Sequence, residues 1–130
     1  MTGLLIDTQV FLWFETRSPK LSERVRDRIS RMDQAVMVSA ASIWEIAIKR
    51  RTGKLTFTGP LAEAVAASGF TTLPIDADDA EMAGGLDWDH KDPFDRILLA
   101  QCIHRGLSLV TADATLALRR EAPIVWAGQT

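Results

Sequence analysis

The sequence predicts an α/β fold built on a parallel sheet, and two features of its 130 residues lead to that prediction. Short apolar runs alternate along the chain with longer segments in which apolar residues recur at helical spacing. Several of the runs end in polar residues that can begin the next helix, as expected for strand–helix units joined by short connections. The length fits a single domain over residues 1–130 and is sufficient for one buried core.

Five segments are predicted as strands, because each is a short apolar or β-type run bounded by turn or capping residues. They are residues 3–6, 35–38, 70–75, 107–111 and 124–126. Pro74 favours an end or an edge position for the third run, since proline lacks the N–H group that a central strand donates.

Seven segments are predicted as helices, namely residues 8–14, 22–31, 40–51, 61–68, 76–83, 93–105 and 114–119. Thr8 and Ser22 are suitable N-caps for the first two helices. Pro60 and Gly69 bracket the fourth helix in the favoured order, with proline first and glycine last. The glycine pair at residues 84–85 is expected to break the fifth.

Composition indicates the general class of the protein and the cellular compartment that suits it. With 47% hydrophobic and 25% charged residues, the chain resembles an ordinary globular protein. The single cysteine, Cys102, cannot form an internal disulfide, which suits a reducing cytosol. No apolar run approaches the roughly 18 residues that a membrane span needs. Asp7 interrupts the N-terminal apolar stretch, so we expect a cytoplasmic protein with no signal peptide and no membrane attachment.

Charge is unevenly distributed although the net charge is only −2. Residues 15–54 contain 10 Lys/Arg against 5 Asp/Glu, whereas residues 55–130 contain 5 against 11. A basic half beside an acidic half suggests a polyanion that is handled near a metal centre. The alternative is that the arginines of residues 24–31 form a solvated helix face.

Acidic residues follow the predicted strands at corresponding places. Asp7 closes the first strand, Glu45 lies in the helix after the second, Asp95 begins the helix opened by Pro93, and Asp113 lies just past the fourth strand. Such positions meet in one crevice of an open α/β sheet. Oxygen ligands at this density suit Mg²⁺ or Mn²⁺, and no Cys/His pair has zinc-type spacing. Taken singly, Asp7 and Asp113 could be helix caps and Asp95 a surface acid.

Three stretches together resemble the PIN-domain ribonucleases, and more narrowly the VapC-type toxins of bacterial toxin–antitoxin pairs. The stretches are LLIDTQVFLW, VSAASIWEIAIKRRTGKL and HKDPFDRILLAQC…LSLVTADATL, and the resemblance extends from Leu4 to Trp126. It implies a three-layer α/β/α fold with a central parallel sheet of about four to five strands. One departure is Gln9, where relatives often carry histidine.

The resemblance also implies an activity and a set of site residues. The activity is endonucleolytic hydrolysis of RNA that depends on Mg²⁺ or Mn²⁺, with a small VapB-like antitoxin as partner and a homodimer as the assembly. The implied catalytic and metal-binding acids are Asp7, Glu45, Asp95 and Asp113. Thr8 and Thr111 match the small hydroxyl residues that the family carries near its site.

Other residues have two interpretations each. Asp92 is either a turn residue or an outer ligand, and Arg96 is either a phosphate contact or a partner for a neighbouring acid. His90 is either a proton donor or structural. The cations expected to hold flanking phosphates, or simply to favour a helix C-terminus, are Lys49, Arg50, Arg51 and Lys54. Trp88 could stack on bases, as could Trp13 and Trp44, although these two are expected in the core.

Three other classes of function compete with this interpretation. A receiver-like phosphoacceptor domain needs a second acid near the first strand and a lysine after the last, and neither is present. A phosphatase of the haloacid dehalogenase type needs an aspartate two residues after Asp7, where this chain has Gln9. A non-catalytic module that recruits a basic partner through its acids is the third alternative.

Overall fold

The computed structural model describes residues 2–130, and within them five strands alternate with helices. The strands are β1 (Leu4–Ile6), β2 (Val36–Ser39), β3 (Thr71–Leu73), β4 (Ser108–Thr111) and β5 (Ile124–Trp126). The helices are α1 (Thr8–Glu15), α2 (Glu23–Ser30), α3 (Ala40–Arg51), α4 (Leu61–Ala67), α5 (Ala77–Gly85), α6 (Pro93–Arg105) and α7 (Ala114–Ala117).

All five strands pair in parallel, in the order β3-β2-β1-β4-β5. The central strand β1 has β2 and then β3 on one side, and the chain returns to add β4 and β5 on the other side. This arrangement confirms the predicted α/β class and the three-layer α/β/α architecture. It also creates a switch point at the carboxyl ends of β1 and β4, where open α/β sheets form their binding crevice.

The two faces of the sheet are covered by different helices. Leu4 and Ile6 point into an apolar layer built with residues of α1 to α4, whereas Leu5 points into a layer built with residues of α6 and α7. All three side chains are fully buried. A strand with both faces covered reads as a continuous apolar run, which is why residues 4–6 show no alternation of polar and apolar residues.

Some predicted boundaries differ from the structure. Helix α5 continues through Gly84 and Gly85 instead of ending before them. The Arg96 side chain donates hydrogen bonds to the carbonyl oxygens of Ala83 and Gly84, which satisfies acceptors at the helix C-terminus. The N-cap of α1 is Asp7, not Thr8.

Trp44 was expected in the core, and this expectation is wrong. Its side chain is 61% exposed and packs edge-on against Phe94 of α6, with ring centroids 5.3 Å apart. Trp13 agrees with the expectation, since it packs against the apolar layer of α1 to α4. In residues 2–130, no helix is long and apolar enough to cross a membrane.

Candidate active site

A cavity of about 460 Å³ opens at the switch point of the sheet. It is lined by acidic, basic and small polar residues together with three leucines. The acids are Asp7, Glu45, Asp92, Asp95 and Asp113, and the other lining residues are Thr8, Gln9, Leu12, Lys49, Lys54, Leu55 and Leu98. The structure therefore brings the four predicted catalytic acids to one cavity from four separate elements.

Asp7 lines the cavity directly after β1 and is only 4% exposed. Its Oδ1 accepts a hydrogen bond from the Val10 backbone at 2.8 Å, and its Oδ2 accepts one from Thr111 Oγ1 at 2.5 Å. Burial raises the pKa of Asp7 to about 6, against the effect of these two hydrogen bonds. The nearby charges of Asp95 and Asp113 add to the increase, so the three carboxylates repel one another.

Glu45 reaches the cavity from the second turn of α3, and hydrogen bonds hold both of its oxygens. Thr8 Oγ1 is 2.7 Å from Glu45 Oε1 and 2.8 Å from the buried Ser42 Oγ. Lys49, one turn further along α3, donates to Oε2 at 2.9 Å. The Glu45 carboxylate is therefore fixed in position and already paired with a cation.

Asp95 lies in the first turn of α6, whose N-cap is Asp92. The Asp92 side chain accepts from the backbone N–H groups of Phe94 and Asp95 at 2.9 and 3.3 Å. Partial burial raises the pKa of Asp95 to about 6, opposed by a hydrogen bond from His90, and the charges of Asp92 and Asp113 add to the increase. The distance from His90 Nε2 to Asp95 Oδ2 is 2.6 Å.

Asp113 is exposed and caps the short helix α7. Its Oδ1 accepts from the backbone N–H groups of Thr115 and Leu116 at 2.8 and 3.1 Å. Thr111 connects this cap to Asp7, because its Oγ1 accepts from the Asp113 backbone at 3.0 Å while it donates to Asp7. Asp7 and Asp113 are thus helix caps and cavity residues at once, so the two interpretations were not exclusive.

The donor set fits a hard divalent cation. The side chains that meet in the cavity offer carboxylate and hydroxyl oxygens, and no lysine or arginine among residues 2–130 forms an ion pair with Asp7, Asp95 or Asp113. Carboxylates that repel one another in a partly buried site are stabilised when a cation binds between them.

The potential metal-ligand atoms of the acidic side chains are not equally close to one another. The described part of the chain contains two groups of three side chains that could hold a metal ion. Within each group, the potential ligand atoms all lie within 4.8 Å of one another. One is His90, Asp92 and Asp95 at the edge of the cavity; the four predicted acids are not such a group. The other is Asp76, Asp79 and His104, where Arg105 already donates to both carboxylates at 2.9 to 3.1 Å.

The four predicted phosphate-binding cations divide into two kinds. Lys49 and Lys54 line the cavity. Arg50 does not, since its guanidinium donates to the carbonyl oxygens of Phe57 and Gly59 at 3.3 and 2.8 Å. Arg51 is exposed at the end of α3 and is not part of the cavity lining either.

Arg96 has a different role from either of those predicted. Its guanidinium makes five hydrogen bonds to backbone carbonyl oxygens between Ala83 and His90, and it does not line the cavity. A guanidinium has five N–H donors in a fixed plane, so this contact set leaves no donor for a phosphate.

One contributor to the site, Ser42, was not singled out by the sequence interpretation, and for a second, His90, that interpretation left two roles open. Ser42 binds the hydroxyl of Thr8, and its position one turn before Glu45 on α3 was the available signal. The place of His90 five residues before Asp95 allows the contact that the structure contains.

The sequence of this chain matches a known protein family, and its fold is similar to those of solved structures. The family model described as PIN domain matches residues 4–121. The DNA-bound VapBC structure from Salmonella typhimurium aligns with a TM-score of 0.68 at 18% identity, covering 96% of this chain and 98% of that chain. VapBC2 from Rickettsia felis, bound to a promoter DNA fragment, aligns with a TM-score of 0.65 at 10% identity, covering 95% and 98%.

A third solved structure is VapC20 from Mycobacterium tuberculosis, described as a toxin that cleaves the sarcin-ricin loop. It aligns with a TM-score of 0.55 at 17% identity, covering 92% of this chain and 98% of that chain. At these identities the likeness shows a shared fold. No curated protein matches the chain in sequence.

Proposed function

This chain belongs to the PIN-domain family, and from that premise we propose that it is a divalent-metal-dependent endoribonuclease that acts as the toxin of a toxin–antitoxin pair. One observation carries the proposal. Four carboxylates from separate parts of the sequence, Asp7, Glu45, Asp95 and Asp113, line one cavity at the switch point of the sheet. Bringing like charges together does not stabilise a fold. Burial and this convergence raise the pKa values of Asp7 and Asp95, and keeping these acids ionised at neutral pH costs free energy.

Asp7, Asp95 and Asp113 are the residues that would hold Mg²⁺ or Mn²⁺. Such an ion lowers the pKa of a bound water and stabilises negative charge on the scissile phosphate. Thr111 keeps the Asp7 carboxylate oriented through a buried hydrogen bond. Its second contact, from the Asp113 backbone, couples the orientation of the two acids.

Glu45 has a separate part in the proposed reaction. Its carboxylate is held by Thr8 and by Lys49, so it can orient an attacking water and accept its proton without moving. Lys49 and Lys54, which also line the cavity, would contact phosphates next to the scissile bond.

We extend the proposal to a protein partner, a small VapB-like antitoxin made together with this chain. The Salmonella typhimurium and Rickettsia felis structures are VapBC assemblies bound to DNA, and this chain shares their fold over nearly its whole length. An arginine from the antitoxin would fit the cavity, because its guanidinium can pair with two carboxylate oxygens at once. A homodimer in the cytoplasm completes the proposal.

Cleavage of RNA by the purified protein tests the proposed activity. Mg²⁺ or Mn²⁺ should support cleavage of single-stranded or structured RNA, and EDTA should abolish it. Asp7→Asn and Asp95→Asn should each reduce the rate by orders of magnitude, whereas Asp27→Asn, an exposed acid on α2, should leave it unchanged. Cleavage that persists in EDTA, or full activity of Asp7→Asn, would contradict the mechanism.

The partner proposal has its own test. Expression of the chain alone should arrest growth of its host. Co-expression with the small antitoxin proposed to be encoded beside it should restore growth and give a co-purifying complex. Harmless expression of a protein that cleaves RNA in vitro would separate the nuclease from the toxin role.

A further inference from the structure

The connection between α5 and α6 has no strand or helix beyond Gly85, yet one side chain fixes its path. Arg96, in the first turn of α6, donates hydrogen bonds to the carbonyl oxygens of five residues of this connection and of the end of α5. These acceptors and their distances are Ala83 at 2.9 Å, Gly84 at 3.4 Å, Leu86 at 2.9 Å, Trp88 at 2.7 Å and His90 at 3.0 Å. Because the donors lie in one rigid plane, they define where the backbone of His90 lies relative to α6.

The side chain of His90 is held as well as its backbone. Its ring packs against the ring of Trp88, with centroids 4.7 Å apart and planes inclined by 37°. Trp88 is in turn covered by the Arg119 guanidinium, 4.6 Å from its ring centroid. The imidazole therefore has few alternative orientations, and the one it adopts brings Nε2 to 2.6 Å from Asp95 Oδ2.

His90 lies behind Asp95 as seen from the cavity. Asp95 is part of the cavity lining and His90 is not, and His90, which contacts Asp95, instead borders two more open depressions that Trp88 also lines. Its Nε2 is engaged by the Asp95 carboxylate, and this hydrogen bond is the contact that joins the ring to a cavity-lining residue.

We propose that His90 is a positioning residue for Asp95, and that Arg96 and Trp88 are the scaffold that places His90. A hydrogen bond to Oδ2 fixes the rotation of the carboxylate and leaves Oδ1 available to a cation. Ligating carboxylates are commonly held in this way by an outer partner. This inference rests on the proposed metal-dependent function of the same cavity, and it assigns Arg96 a structural purpose that a phosphate contact would not explain.

The chain contains a matched control for this contact. His104 Nδ1 lies 2.7 Å from Asp79 Oδ1, so a second histidine–aspartate pair of nearly equal length joins α5 and α6 away from the cavity. If His90 only stabilised the fold, its removal and the removal of His104 should have similar consequences. If His90 positions a metal ligand, only its removal should weaken metal binding.

The experiment measures the affinity of the full chain for Mn²⁺ by calorimetry, with the loss of binding in Asp7→Asn assigning the signal to the cavity. His90→Ala should weaken Mn²⁺ binding about 10- to 100-fold. His90→Gln, which can place an N–H donor near the position of Nε2, should recover a large part of that loss. His104→Ala should bind Mn²⁺ within about twofold of wild type even where its melting temperature falls.

Arg96→Lys provides the second measurement, because lysine cannot donate to five carbonyl groups in one plane. It should weaken Mn²⁺ binding in the wild-type background and add little in the His90→Ala background, since the two residues act in series. Unchanged affinity in His90→Ala, equal loss in His104→Ala, or absence of Mn²⁺ binding by the wild type overturns the inference. A wild type that binds Mn²⁺ but cleaves no RNA contradicts the proposed nuclease instead, while the affinities of the His90 variants still decide the positioning role.

Discussion

The buried carboxylate of Asp7 should destabilise the metal-free protein at neutral pH, and Asp7→Asn tests this directly. Burial raises the pKa of Asp7 from 3.8 to about 6. Between those pH values the folded chain binds more protons at this position than the unfolded chain does. The stability that this group contributes therefore falls as pH rises from about 4 through 6, and it remains low at pH 7.5.

The size of the effect follows from the shift in pKa. A difference of about two pKa units corresponds to roughly 3 kcal/mol of unfavourable ionisation at pH 7.5. Asparagine removes this cost and keeps an oxygen that can accept from the Val10 backbone, although its amide NH2 would have to donate to Thr111 Oγ1 in place of the hydrogen bond that Thr111 now donates to the carboxylate. A net gain of about 1–3 kcal/mol remains, which is a rise of roughly 3–10 °C in melting temperature for a chain of this length.

Thermal melts in EDTA at pH 7.5 and pH 5 measure this gain. The advantage of Asp7→Asn over wild type should shrink by roughly 1.4 kcal/mol at pH 5, where Asp7 is mostly protonated in the folded state and the ionisation cost is about half of its value at pH 7.5. An Asp7→Asn variant that melts lower than wild type at pH 7.5 would refute the reasoning, because it would mean that the capping hydrogen bonds outweigh the cost of the buried charge.

Asp79→Asn is the matched opposite case. Asp79 is also fully buried, and burial alone would raise its pKa. Hydrogen bonds from Arg105 and His104 outweigh that effect and hold the pKa of Asp79 well below its usual range. Its charge therefore stabilises the fold above pH 4, and Asp79→Asn should cost roughly 2–4 kcal/mol at pH 7.5, discounted because its partners are partly exposed.

Three further expectations concern the cavity and the surface around it. Asp95→Asn should lose most of the stabilisation that Mg²⁺ or Mn²⁺ gives the wild type, which at about 100-fold excess over the dissociation constant is roughly 2.7 kcal/mol in thermal melts. Lys54→Ala should lower the salt dependence of RNA binding in anisotropy titrations by about 0.7 per lost phosphate contact, whereas Arg50→Ala should lower the melting temperature and leave that slope unchanged. Trp44→Ala should cost less than about 1 kcal/mol in urea unfolding, against roughly 3–5 kcal/mol for a core tryptophan.

Much of the fold could be predicted because local signals in the sequence, such as helix caps, place the helices and strands where the parallel sheet requires them. Helix α3 begins and ends at the predicted residues, since Ser39 caps it and its last turn is basic. The convergence of Asp7, Asp95 and Asp113 could also be predicted, because the carboxyl ends of parallel strands and the starts of the connecting helices share one edge of the sheet. These predictions needed only the order of strands and helices.

The features that could not be predicted are those that depend on contacts between particular side chains and other parts of the chain. The exposure of Trp44 follows from the rotation of α3 on the sheet, and its apolar neighbours in the sequence carry no information about that rotation. Arg96 and Arg50 donate to carbonyl groups of irregular segments, whose paths no periodicity encodes. Neither of these two cations lines the cavity for this reason, whereas Lys49 and Lys54 do.

The hydrogen bond between Thr111 and Asp7 joins residues 104 positions apart in the sequence. Strand β4, which carries Thr111, is inserted beside β1 only after the whole intervening chain has been made, and closing so long a loop is entropically costly and slow. The first three strands can pair earlier, since β1, β2 and β3 are neighbours in sequence order. A nascent chain therefore gains a complete acidic cavity only after strand β4 and Asp113 have been made, and ribosome-bound fragments that end before Thr111 should fold partially while remaining without the site.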